Sequence, residues 1–92
     1  MTRQSYFLIA FDGTHAALEA EAFFKKMKAN VRLIPLPSVI AAGCGFSIKV
    51  PISEEPSIKP LLKQPLFAQA KFYKIIKENN QTNIEIWKVE DH

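Results

Sequence analysis

Cys44 is the residue best suited to covalent chemistry, because it is the chain's single cysteine and stands between Gly43 and Gly45. A thiolate is a nucleophile, and it can accept and release sulfur by attack at a sulfur atom. The two glycines permit backbone angles that other residues avoid, and they leave no side chain to shield the thiol. Free cysteines are also often buried as small apolar residues. The local residues therefore leave two interpretations open, a reactive thiol presented by a loop and a cysteine used for packing.

Thr14 and His15 form the second group of candidates, because they stand at the predicted start of a helix. Either Asp12 or Thr14 is expected to cap this helix, since short side-chain oxygens accept hydrogen bonds from unpaired first-turn N–H groups. The positive end of a helix lowers the pKa of a thiol beside it. His15 is then a candidate hydrogen-bond partner of the sulfur. The alternative is that His15 is simply an exposed residue of the first turn.

Hydrophobic patterning predicts the elements that must position these residues. The stretch around Phe46, Ile48 and Val50 alternates with a period of two, which is typical of a strand. Residues 51–65 contain four prolines, so they are expected to form an extended connector. The predicted strands cover residues 5–11, 29–37, 45–51 and 83–90, and the predicted helices cover residues 15–28 and 66–80.

This order of elements predicts one α+β domain over residues 1–92. The pattern is that of a ferredoxin-like βαββαβ two-layer sandwich, in which one antiparallel sheet carries both helices on one face. The first two strands would then run in the same direction. The loop that contains Cys44, the start of the first helix and the end of the second helix with Lys77 are therefore expected at one end of the domain.

Composition narrows the function classes. A single cysteine excludes an internal disulfide, and no apolar run approaches the roughly 20 residues that a membrane span requires. The N-terminus lacks a signal-peptide pattern, so a cytoplasmic location is expected. The net charge of +3 is mild and its lysines and arginines are spread along the chain, which makes nucleic-acid binding a minor alternative. Neither a metal-binding nor a phosphate-loop motif is present, and no cofactor is expected.

Residues 6–50 resemble a small bacterial family described as selenium/sulfur carrier protein-like. The resemblance rests on a strand that ends in phenylalanine, a Thr-His helix start, the run Arg-Leu-Ile-Pro-x-Pro, and Cys-Gly before a strand. The matching residues are Phe11, Thr14, His15, Ala17, Glu21, Arg32, Leu33, Ile34, Pro35, Pro37, Cys44 and Gly45.

The resemblance implies a carrier or relay protein rather than a catalyst. Cys44 would hold a persulfide or a selenium species, and Arg32, Pro35 and Pro37 would belong to the binding region. The implied partners are proteins that donate and accept sulfur or selenium.

A binding module without thiol chemistry is the main alternative. The sheet face opposite the helices is expected to expose apolar residues that would suit a homodimer or another protein partner. This set consists of Phe7, Ile9, Ile34 and Trp87. RNA binding on a sheet needs exposed aromatic residues, for which Tyr6, Phe46 and Trp87 are the candidates. No RNP-like motif accompanies them.

Overall fold

The computed structural model describes residues 3–37, 40 and 45–89 of the chain. These residues form a five-stranded antiparallel sheet with strand order β2-β3-β1-β4-β5. The predicted α+β class is confirmed. The strands are β1 (Arg3–Ala10), β2 (Arg32–Pro35), β3 (Phe46–Pro51), β4 (Lys71–Glu78) and β5 (Gln81–Ile86), and the helices are α1 (Thr14–Lys26) and α2 (Glu55–Ile58).

The central strand β1 divides the core between the two faces of the sheet. Phe7 and Ile9 point to the face that α1 covers, whereas Tyr6 and Leu8 point to the opposite face, as the period of two along a strand requires. Because β1 is buried on both faces, it forms a nearly continuous apolar run. Strands β1 and β2 each pair antiparallel with β3, which lies between them. They therefore run in the same direction.

Helix α1 packs on the sheet through small and aromatic residues spaced along one side. Ala17, Ala20 and Phe24 are fully buried, while Leu18 and Met27 are about half exposed. Alanine lets the helix approach the sheet closely, and Phe24 then fills the space toward its C-terminal end. Neither Asp12 nor Thr14 caps the helix as predicted, because Gly13 occupies the N-cap position and no side chain of the described residues makes a cap hydrogen bond.

The helix predicted over residues 66–80 is wrong. Residues Pro65–Phe67 form a single 3₁₀ turn, and Lys71–Glu78 is strand β4, which pairs with β1 along its whole length. Phe72, Ile75 and Ile76 fit a helical stripe, but β-branched and aromatic residues also favour a strand. The observed order is therefore strand, helix, strand, strand, a series of short helices, and then two strands.

Asn79 and Asn80 explain why this segment forms a hairpin. Both residues have positive φ angles, 51° and 66°, which asparagine adopts more easily than most residues. Two consecutive left-handed residues make the type I′ turn that matches the twist of paired strands. The helix predicted over residues 66–80 would have ended at these two asparagines, whereas the structure uses their left-handed conformation to join β4 to β5.

The proline-rich connector was predicted to be extended, but it forms a series of short helical turns, none of which the prolines allow to become long. It consists of α2 and three 3₁₀ segments, Ile52–Glu54, Lys59–Lys63 and Pro65–Phe67. Ile58, Leu62 and Phe67 anchor these turns in the core beneath α1. Along the described residues, no helix combines the length and apolar character that a membrane crossing requires.

The chain leaves the sheet after β5 and returns to the core. The last strand was predicted to continue to residue 90, but β5 ends at Ile86 and residues 87–89 lie outside it. Trp87 stacks on Phe7 with ring centroids 4.2 Å apart, and its indole N–H donates to a Glu55 carboxylate oxygen at 2.9 Å. This contact ties the end of the described chain to the connector.

Candidate functional site

The two ends of the Cys44 loop lie side by side at one end of the sheet. The Leu36 N–H, just after β2, donates to the Gly45 carbonyl at 2.8 Å. Cys44 itself lies outside the described residues, but it is bonded directly to Gly45. The backbone on its C-terminal side is therefore held next to the end of β2.

Gly45 is required by its backbone conformation rather than by crowding. Its φ is +89°, a region that residues with a Cβ atom rarely adopt, yet a Cβ placed there would have no neighbour within 4 Å. The positive φ turns the chain from the loop into β3. Gly45, one of the two glycines beside Cys44 in the sequence, is thus needed for the turn into β3. Gly43 lies outside the described residues.

The start of α1 is at the same end of the sheet as the loop ends. Ala10, the last residue of β1, pairs with Ser47 of β3, and Ser47 in turn pairs with Ile34 of β2. The chain then passes from Ala10 into α1 within a few residues. The prediction that the loop and the helix N-terminus share one end is confirmed for the loop's described ends.

The N-terminal turn of α1 contains no acidic residue, and no side chain of the described residues caps it. The first-turn amides of a helix have no partner within the helix and favour negative charge. Thr14 is the first helical residue, and His15 follows it. Both are exposed, and the His15 imidazole lies 3.6 Å from the Glu19 carboxylate. The predicted hydrogen bond from His15 to sulfur involves a residue beyond the described ranges.

The structure does not bring Lys77 to this end. Lys77 was expected at the end of a second helix close to the thiol, but it lies in β4 and pairs with Gln4 near the start of β1. The prediction is wrong because residues 66–80 form strand and turn rather than helix.

The three residues assigned to the binding region separate into two places. Pro35 ends β2 and Pro37 accepts a hydrogen bond from the Ile40 N–H at 3.0 Å, so both belong to the loop's base. Arg32 begins β2 and pairs with Lys49 instead. It lies at the far end of the strand from the loop.

Ile40 is a buried residue within the loop segment, and it was not singled out from the sequence. It is buried against the face of the sheet opposite α1, in a cluster with Tyr6, Leu8 and Ile75. At Ile40 the chain therefore lies on the sheet face opposite α1. An isoleucine within a predicted loop was the one sequence signal that could have indicated this burial.

Ser47, which connects β3 to β2 just after the loop, was also not singled out from the sequence. It is fully buried three positions after Cys44, and its hydroxyl donates to the Ile34 carbonyl at 3.5 Å. Its place in the alternating strand indicated only that it faced away from Phe46 and Ile48.

The apolar sheet face predicted for a partner has a different composition. Phe7, Ile9 and Trp87 belong to the core under α1, not to the opposite face. Ile34 does lie on that opposite face, where it packs beside Ile40. Tyr6 and Trp87 are buried on different faces, so the three aromatic residues suggested for RNA do not share a platform.

The described residues contain no cluster of three or more histidine, cysteine, aspartate or glutamate side chains suited to holding a metal ion.

Comparison with known families identifies the chain. A family model described as "Putative Se/S carrier protein-like" matches residues 6–74. The chain belongs to this family. The match to the Se/S carrier-like family extends from β1 through the loop and the connector into β4, farther than residues 6–50, where the motif resemblance is clearest. No curated protein and no solved structure matched the chain.

Proposed function

We propose that this protein carries sulfur or selenium on Cys44 as a persulfide or the corresponding selenium species. The observation that supports the proposal best is the shared position of the loop ends and the uncapped start of α1 at one end of the sheet. Membership of the Se/S carrier-like family points to the same class of cargo.

The transfer step is a thiol exchange. The Cys44 thiolate attacks the outer sulfur of a donor protein's persulfide, a new S–S bond forms on Cys44, and the donor's S–S bond breaks. The donor cysteine leaves as a thiolate, so the step needs no external oxidant or reductant. An acceptor nucleophile would later remove the outer sulfur in the same way. The protein acts as a relay rather than as a catalyst.

The proposal requires a thiol that ionises readily. We expect the pKa of the Cys44 thiol to lie below the ordinary value of about 8.5, because first-turn amides favour the thiolate. Alkylation by iodoacetamide, followed across pH, measures this pKa directly. A His15→Gln variant tests the imidazole's share: its profile should shift upward if His15 supports the thiolate, with the folding signal unchanged.

This part of the account would be contradicted if the alkylation rate had its midpoint near pH 8.5 and if this midpoint were the same in the folded and the unfolded chain. The control is the same measurement at a denaturant concentration that unfolds the chain, where the thiol has no helix beside it.

A protein-interaction or homodimer function is the second candidate, and the β5 edge favours it. Ile86 is 70% exposed and Ile84 is 38% exposed, and both lie on the sheet face opposite α1. A strand at the edge of a sheet that also exposes apolar side chains can dock a further strand. The candidates differ over Cys44→Ser: a carrier loses its cargo, whereas an interaction module keeps its assembly state and its partner.

A further inference from the structure

A basic pocket lies at the end of the sheet away from the loop. It has a volume of about 600 Å³ and is formed where β1 begins, β2 begins and β3 ends. Arg3, Arg32 and Lys49 line it, and none of its lining residues is an aspartate or glutamate. The carrier function described above makes no use of this pocket.

Arg32 and Lys49 face each other directly across β2 and β3. Like charges at directly opposed positions on a sheet destabilise the pairing. Among the described residues, the ion pairs are His15 with Glu19 and Glu21 with Lys25, so neither Arg32 nor Lys49 has a carboxylate partner in this part of the chain. Arg3, by contrast, stands opposite Glu78 across β1 and β4. A bound anion would relieve the repulsion between Arg32 and Lys49.

The rest of the pocket supplies neutral polar side chains and the buried ring of Tyr6. Gln4, Ser5 and Asn30 line it, and their side chains can donate hydrogen bonds. The Lys49 ammonium lies 4.6 Å from the centre of the nearly buried Tyr6 ring, which limits where its charge can move. Burial raises the pKa of the Tyr6 hydroxyl, so this group stays protonated at neutral pH.

We propose that this pocket binds the phosphate group of a small phosphorylated molecule. Arg32 and Lys49 provide the opposing positive charges, and Arg3 is a further cation among the lining residues. Arginine suits this task because its planar guanidinium can make two parallel hydrogen bonds to one phosphate. The pocket is larger than a phosphate group, which leaves room for the part of the ligand that bears it.

Titration of the full-length protein with inorganic pyrophosphate, followed by calorimetry in chloride buffer, tests this site. We expect saturable one-site binding that weakens about tenfold or more in Arg32→Gln and in Lys49→Gln. Lys71→Gln is the matched control, because Lys71 is an exposed lysine of the same sheet at its other end. That control and Cys44→Ser should keep the wild-type affinity.

A folding readout separates loss of the site from loss of the fold. Because a cross-strand repulsion is removed, the unfolding midpoint of Arg32→Gln should not fall below that of the wild type in chloride alone, whereas Lys49→Gln also loses its contact with the Tyr6 ring. Pyrophosphate should raise the midpoint of the wild type and not that of Arg32→Gln. Inorganic phosphate should act in the same direction but more weakly, since it carries less charge.

Two results would overturn the proposal. One is the lack of saturable binding below about 1 mM pyrophosphate at an ionic strength of about 0.15 M. The other is an equal loss of affinity in Lys71→Gln and Arg32→Gln, which would show a general response to charge. Because the site does not involve Cys44, neither result would bear on the carrier function.

Discussion

Replacing Trp87 with alanine is expected to lower the free energy of unfolding by about 3–5 kcal/mol, the range typical of removing a large buried aromatic side chain. Trp87 is 5% exposed, stacks on Phe7, and meets Phe72 edge-on. Its loss would also leave the half-buried Glu55 carboxylate without its indole donor. Chemical denaturation followed by circular dichroism measures the change.

Trp87→Phe separates the two contributions of this side chain. Phenylalanine keeps a ring against Phe7 but cannot donate to Glu55, so a smaller loss of about 1–2 kcal/mol is expected. Should the alanine variant cost no more than the phenylalanine variant, the stacked ring would not be an anchor of the core. The packing described for residues 87–89 would then be incorrect.

Replacing Ile40 with alanine is expected to cost about 2–3 kcal/mol and also to alter the chemistry of the loop. Burial of Ile40 against Tyr6, Leu8 and Ile75 removes a large apolar side chain from water and holds the loop on the sheet. Without it, the chain loses a buried attachment four residues before Cys44 in the sequence. The rate of Cys44 alkylation at a fixed pH should therefore change together with the stability.

Ile86→Ala is the matched control for this variant. Ile86 is the same residue type on the same sheet face, but it is 70% exposed, so its replacement should change the free energy of unfolding by less than about 0.5 kcal/mol. Its Cys44 alkylation rate should equal that of the wild type. Equal stability losses at Ile40 and Ile86 would show that Ile40 does not anchor the loop.

The first half of the fold could be read from the sequence because its signals agree with one another. In β1 and β3, apolar composition, alternation and the flanking turn residues all indicate strands. In α1, good helix formers coincide with a buried stripe that includes Ala17, Ala20 and Phe24. The shared direction of β1 and β2 followed from this order, and it correctly placed the loop ends near the start of α1.

The second half could not be read because one segment fits two periodicities. Phe72, Ile75 and Ile76 satisfy helical spacing, while the pairing of β4 with β1 depends on contacts more than 60 residues apart in the chain. Propensity is a weak guide where such long-range pairing decides the outcome. The positive φ angles of Asn79 and Asn80 suit either a helix end or a hairpin, so they did not resolve the choice.

The candidate site was only partly predictable for a similar reason. The single cysteine and its glycines are visible in the sequence, and Gly45 has the positive φ that such a position suggests. The opposition of Arg32 to Lys49 arises from sheet register, and the burial of Ile40 arises from packing of a loop residue on the sheet. The local sequence pattern specifies neither. The basic pocket consequently emerges only once the strands are paired.

The central claim is that Cys44 carries the cargo, and intact-mass spectrometry of the loaded protein tests it most directly. The protein is incubated with a cysteine desulfurase and cysteine, separated from the donor, and measured without reductant. We expect a mass increase of one sulfur atom that is located on Cys44, is removed by dithiothreitol and is absent from Cys44→Ser. An unchanged mass in the folded wild-type protein, with selenium loading equally absent, would contradict the account.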